Sequence, residues 1–236
     1  MSYAVSTSAS TRRVLAIVIV AIAFFLLDVW LVETHHIAGL DQAVLEWFRN
    51  PDDLADAWGP AWFEEAAGEI TTLGSYTFIL LLSLVVVGFL ALYQRILAAV
   101  FIVLAISGGS LVSTVFKMLF ERPRPDVVEH MDRTFTYSFP SGHALISAMA
   151  YLTLAAVAAR FVDRPWARRY LMACAVALAF LVGTSRVYLG VHWPSDVFAG
   201  WCLGTAWAGI CWLAADYLSR RTGRADRETD LGTSRI

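Results

Sequence analysis

Apolar residues fill long unbroken stretches of this chain, and polar residues are gathered into the short segments between them. Six stretches approach the roughly 20 apolar residues that a helix needs to cross a bilayer core. They run near Val14 to Val32, Tyr76 to Tyr93, Ile96 to Phe116, Ala144 to Phe161, Tyr170 to Val187 and Val197 to Tyr217. The pattern predicts an all-α polytopic membrane protein, a six-transmembrane-helix bundle over residues 14–218.

The segment of residues 33–75 has a different texture. It mixes Leu40, Val44, Leu45, Trp47, Phe48, Trp58, Trp62 and Phe63 with the acidic residues Asp41, Glu46, Asp52, Asp53, Asp56, Glu64, Glu65 and Glu69. Such a mixture suits short interfacial helices whose tryptophans sit at headgroup depth. It reads either as a lip that admits lipid to an outer site or as a connector plugging the bundle's outer surface. Residues 1–13 and 219–236 are polar, without apolar periodicity, and are expected to be flexible cytoplasmic tails.

Composition agrees with this picture. Of 236 residues, 58% are hydrophobic and 16% charged, too apolar for a soluble domain. Arg12 and Arg13 before the first apolar run resemble the start of a cleaved leader, but the run continues past Ala21 and Ala23 and is expected to remain as an anchor. Cys174, Cys202 and Cys211 all fall inside spans and read as small buried side chains, without a disulfide or metal role.

The net charge of −2 gives no indication of a nucleic-acid partner, but its distribution orients the chain. Alternating spans put Arg12, Arg13, Arg95, Arg160, Arg164, Arg168, Arg169, Arg220, Arg221, Arg224, Arg227 and Arg235 on one side, which the positive-inside rule makes cytoplasmic. Both termini are then expected in the cytoplasm, in an integral cell-membrane protein. Asp28, four residues from the outer end of the first span, is expected to snorkel to the interface. Gly200 and Gly204 form a Gly-x-x-x-Gly pair that suits close packing within the bundle, with a homodimer as the other reading.

Three polar clusters share the outer face. Lys117, the sole lysine, ends the third span and opens KMLFERPRP, where Pro123 and Pro125 forbid the helix from continuing. Pro140, Ser141, Gly142 and His143 have the form of a helix N-terminus, whose unpaired amides and dipole attract an anion. His192 and Asp196, in SRVYLGVHWPSD, stand four apart, a spacing that lets the carboxylate fix the imidazole tautomer. Lys117, Arg124, Arg186 and the amides near Ser141 and Gly142 then surround a tetrahedral anion, with His143, His192 and Asp196 beside it. Phosphoryl transfer suits that set.

These residues resemble the signature of the type 2 phosphatidic acid phosphatase superfamily, the membrane lipid phosphate phosphatases related to vanadium haloperoxidases. The motifs are Lys-x6-Arg-Pro (Lys117, Arg124, Pro125), Pro-Ser-Gly-His (Pro140 to His143) and Ser-Arg-x5-His-x3-Asp (Ser185, Arg186, His192, Asp196). The resemblance implies His192 as nucleophile oriented by Asp196, a phosphohistidine intermediate, His143 as general acid, and a phosphate held by Lys117, Arg124, Ser141, Gly142 and Arg186. It implies no cofactor and no metal.

The implied substrates are lipid phosphates such as undecaprenyl pyrophosphate, phosphatidylglycerophosphate or phosphatidic acid. A lipid phosphotransferase and a non-catalytic transport or scaffold protein of the same fold stay open at this point. Hydropathy argues against a soluble vanadate-dependent oxidase. Arg122, two residues before the matching Arg124, is surplus to the motif and is expected to be a rim charge.

Overall fold

The computed structural model describes residues 9–126, 128, 130, 132 and 136–233, with side chains described through Arg221. The elements are α1 (Ala9–Glu33), α2 (Ala38–Trp47), β1 (Arg49–Asn50), β2 (Asp53–Ala57), α3 (Ala61–Thr72), α4 (Tyr76–Leu92), α5 (Ile96–Phe120), α6 (Gly142–Ala158), α7 (Pro165–Tyr188) and α8 (Pro194–Thr233). Helices α1, α5, α6, α7 and α8 are each long and apolar enough to span a bilayer. A sixth candidate is the pair α3 and α4, which follow one another with a 50° bend and together are long and apolar enough to cross. Ser75 makes the break by capping α4, its hydroxyl accepting from the Phe78 amide at 3.1 Å.

Burial, rather than hydrophobicity, distinguishes the helices. Twelve of the seventeen residues of α6 are buried against five of the twenty-five in α1, which makes α6 the central helix. It packs against α5, α7 and α8, while α1 lies along α8. The five buried positions of α1, Val18, Ala21, Phe25, Asp28 and Val32, recur every three or four residues. Leu15, Ile19, Leu26 and Leu27 on its other faces are exposed, as expected where lipid is the solvent.

Asp28 does not snorkel. It is 2% exposed within the α1 stripe and its Oδ2 has no hydrogen-bond partner among the described residues. The stripe that faces α8 carries it inward, so proximity to the interface along the helix axis was the wrong guide.

The segment of residues 33–75 holds two short helices as expected, together with an antiparallel hairpin, β1 with β2, that the sequence did not suggest. Arg49, in β1, is 2% exposed and donates from Nη1 to the carbonyls of Phe48 (3.0 Å) and Tyr188 (2.9 Å). The second bond satisfies a carbonyl at the end of α7, so this guanidinium ties the hairpin to the bundle. Leu45 of α2 packs with Ala144, Val187 and Val197, at the ends of α6, α7 and α8. Trp47, Trp58 and Trp62 remain exposed.

Helix α1 begins at Ala9 and α8 runs to Thr233, inside the stretches read as tails. The ends are joined where Thr11 Oγ1 donates to Asp216 Oδ2 (3.0 Å) and Arg220 donates to the same carboxylate (2.9 Å). Residues 1–8 and 234–236 of the expected tails lie outside the described residues.

Candidate active site

Helix α5 stops at Phe120 because Glu121 turns into the left-handed region (φ 42°) and Pro123 and Pro125 follow. The reversal leaves Lys117 on the last turn and folds Arg124 back beside it. Lys117 Nζ donates to Tyr137 O (2.8 Å) and lies 3.4 Å from Thr136 Oγ1. Gly142 opens α6 directly beneath it: a Cβ there would sit 3.4 Å from Lys117 Cε and 3.5 Å from Tyr76 Oη. The bare backbone lets the ammonium cross the helix N-terminus.

Arg124 Nε donates to Thr136 O (2.8 Å), and its Nη1 donates to Val191 O (2.6 Å) and approaches His192 Nε2 at 3.2 Å. An arginine is always a donor, so this contact requires a lone pair on Nε2 and puts the imidazole proton on Nδ1. The opposite edge of the ring agrees. His192 Nδ1 faces Asp196 Oδ2 at 3.4 Å and Ser138 Oγ at 3.3 Å. Ser138 itself donates to Asp196 Oδ2, which also accepts from the Trp193 amide at 2.9 Å.

His192 is 1% exposed, and burial holds its pKa well below 6.5, reinforced by the charges of Arg124, Arg186 and Lys117 and by His143. Burial, followed by the like charge of Arg186, lowers the Arg124 guanidinium to about 10. The result is a neutral imidazole among cations.

The other candidates lie on the neighbouring helix ends. Ser141 caps α6, its side chain accepting from the Ala144 amide at 3.5 Å, and its own amide donates to Asp196 O at 2.8 Å. The backbone thereby joins the α6 N-terminus to the first turn of α8. His143 occupies the same turn of α6. Arg186, 2% exposed near the end of α7, donates from Nη1 to Thr71 Oγ1 (2.9 Å) and to Asp132 Oδ2 (2.6 Å). Its buried Nε has no partner among the described residues.

Arg122 is not a rim charge. Its Nη1 donates to Asp196 Oδ1 (2.6 Å) and Ser195 Oγ (2.8 Å), and its Nη2 to Asp41 Oδ2 (2.8 Å). Burial opposes its charge, but Asp196 and Asp41 outweigh it and raise its pKa. The two Arg-Pro pairs divide the labour: Arg124 faces the nitrogen of His192 and Arg122 faces the back of Asp196.

Sequence reasoning also missed Asp41 and Ser138. Ser138 sits two residues before Pro140, near enough to the motif to invite suspicion. Asp41 gave no signal, being one of many acids in the loop.

A cavity of about 830 Å³ opens onto this cluster, lined by Tyr76, Thr114, Lys117, Met118, Arg122, Pro123, Arg124, Thr136 and Tyr137. Arg124 stands between the cavity and His192. Among the described residues, no three His, Cys, Asp or Glu side chains come together as a metal-binding set.

A multi-pass helical membrane protein whose cations, histidines and helix N-terminus meet at one end of the bundle is the class defined by this fold and site. Within it, the chain belongs to the PAP2 superfamily, whose family model matches residues 73–220. It is 30% identical to phosphatidylglycerophosphatase B of Bacillus subtilis over 187 residues, 77% of this chain and 86% of that one. It is 45% identical to an undecaprenyl-diphosphatase of Sulfolobus acidocaldarius over 69 residues, 29% of each chain. The crystal structure of a transmembrane PAP2-type phosphatidylglycerolphosphate phosphatase from Bacillus subtilis superposes with a TM-score of 0.76. That match is 26% identical and covers 85% of this chain and 96% of the other.

Proposed function

We propose that this protein is a lipid phosphatase that cleaves the terminal phosphate of a lipid phosphate or pyrophosphate at the outer membrane face, with phosphatidylglycerophosphate and undecaprenyl pyrophosphate as the leading substrates. The observation that carries the reading is His192. It is neutral, with Nε2 directed at Arg124 and Nδ1 at Asp196. The two relatives named above supply the substrate class.

In the first step the Nε2 lone pair of His192 bonds to phosphorus as the bond from phosphorus to the lipid-side oxygen breaks. His143 gives that oxygen its proton. Asp196 and Ser138 accept the Nδ1 proton's hydrogen bond and stabilise the cationic ring. In the second step water attacks phosphorus, its proton passes to His143, and the phosphorus–nitrogen bond breaks to return the electron pair to Nε2. Lys117, Arg124, Arg186, the Ser141 hydroxyl and the amide groups of the α6 N-terminus hold the phosphoryl oxygens through both steps.

Neither step draws on a metal. Phosphate release from a panel of lipid phosphates and pyrophosphates, with chelator present and His192→Ala as control, tests the reading. Release in chelator, lost in His192→Ala, is expected. Cleavage of soluble esters alone would overturn the lipid assignment, and loss of activity on chelation would overturn the metal-free mechanism.

A further inference from the structure

Asp41, on α2, is 1% exposed and makes three short polar contacts, two with Ser195, the residue before Asp196, and one with Arg122, which holds Asp196. Its Oδ1 accepts from the Ser195 amide (2.9 Å), and its Oδ2 accepts from Ser195 Oγ (2.5 Å) and from Arg122 Nη2 (2.8 Å). Ser195 is in the first turn of α8, so one carboxylate satisfies a helix N-terminal donor and fixes a guanidinium. The other end of that guanidinium holds Asp196 Oδ1 at 2.6 Å, leaving Asp196 Oδ2 for Ser138, the Trp193 amide and the edge of His192. Trp193 stacks its ring near Arg122, with the guanidinium carbon 5.7 Å from the ring centre.

From this arrangement we infer that Asp41 and Arg122 are positioning residues for the reaction, a buried relay from the first outer loop that orients Asp196 and sets the charge felt by His192. The inference rests on the proposed role of His192 as nucleophile. It assigns work to a loop whose sequence carries no part of the three motifs. A carboxylate alone in such a site would repel Asp196, and a guanidinium alone would draw the Asp196 charge away from the imidazole. Together they hold Asp196 in place while nearly cancelling each other's field at His192.

That cancellation is testable, because a purely structural clamp has no sign. The charged and titratable groups around His192 are Asp196 on α8, Arg124 and Arg122 on the segment after α5, Lys117 on α5, His143 on α6 and Arg186 on α7 with its partner Asp132. Asp28 on α1 lies within electrostatic reach of Asp41, Asp196 and Arg122. Apart from Arg122 itself, all of these stay constant when only Asp41 or Arg122 is changed.

The experiment is the acid limb of kcat/KM for one lipid phosphate, measured for the wild type, Asp41→Asn, Arg122→Gln and the double variant in detergent micelles. The substrate's own titration is common to all four, and the limb's position does not depend on what fraction of a sample is folded. Asp41→Asn removes a negative charge, disfavours the imidazolium and moves the limb to lower pH by about 0.5–1 unit. Arg122→Gln removes a positive charge and moves it up by a similar amount, and the double variant returns near the wild type. Each single variant is expected to lower kcat about 10- to 100-fold with KM little changed, the scale of an outer-shell partner. For a variant too slow to turn over, the pH dependence of phosphohistidine formation in a single turnover gives the same limb.

Limbs that coincide in all four proteins, or that move in the same direction in both single variants, overturn the relay. Retention of activity in His192→Ala overturns instead the reading on which it rests.

Discussion

His192 attacks as a neutral imidazole in the proposed reaction, and its surroundings favour that form. Burial and three cations depress its pKa well below 6.5. The folded-state value lies below the unfolded one, so an unfolded chain takes up this proton first as pH falls. The stability that depends on a neutral His192 is therefore intact above about pH 6.5 and is lost on acidification through the range below it. Thermal unfolding in detergent between pH 7.5 and 5 is expected to show that loss, and His192→Gln should show a shallower one.

The neighbouring arginines separate by the kind of damage their loss causes. Arg124→Ala is expected to leave the fold intact and to lower kcat/KM at least about 100-fold, since the group proposed to contact the phosphoryl oxygens is gone. Arg122→Ala strands Asp41 and Asp196 in a buried site and is expected to destabilise by about 3 kcal/mol, read as a lowered Tm. A Tm loss in Arg124→Ala equal to that in Arg122→Ala would contradict the division. Spacing alone made Arg124 the candidate phosphate contact and left Arg122 as a rim charge. It could not reveal the two carboxylate partners of Arg122, which lie 81 and 74 residues away in the chain.

At the scale of elements, the glycines of α8 show why the site is rigid. A Cβ on Gly204 would come within 2.4 Å of Leu145 O, and one on Gly200 within 2.7 Å of Ser141 O. Both contacts are with the backbone of α6, so the Gly-x-x-x-Gly pair packs two helices of one bundle. Gly204→Ala is expected to cost about 1–3 kcal/mol, measurable as a lowered Tm. Gly200→Ala should in addition impair turnover, because the atom it meets belongs to the residue that caps α6 at the site. The spans were legible from hydropathy because each is a continuous apolar run. The hairpin and the bend before α4 were not, because two- and five-residue strands leave no periodic signal and the bend is made by one capping serine.

For the molecule as a whole, we propose six spans, which return both ends to one face, and the arginine distribution supports placing that face in the cytoplasm. A cysteine-free background carrying Asp53→Cys is expected to react with a membrane-impermeant maleimide on intact cells. Arg168→Cys should react only after permeabilisation, and the opposite pattern would invert the topology.

The sequence by itself determined the class, the multi-pass helical architecture and the three motifs, since lipid demands long apolar helices and phosphate chemistry demands cations and a histidine at particular spacings. Tertiary structure alone decided which face of each helix is buried, that Asp28 points inward, and that Asp41 of the outer loop reaches Asp196 through Arg122. The physical reason is that lipid and protein interior are equally apolar. Hydropathy therefore records depth in the membrane, while the pairing of distant polar groups depends on how the helices pack.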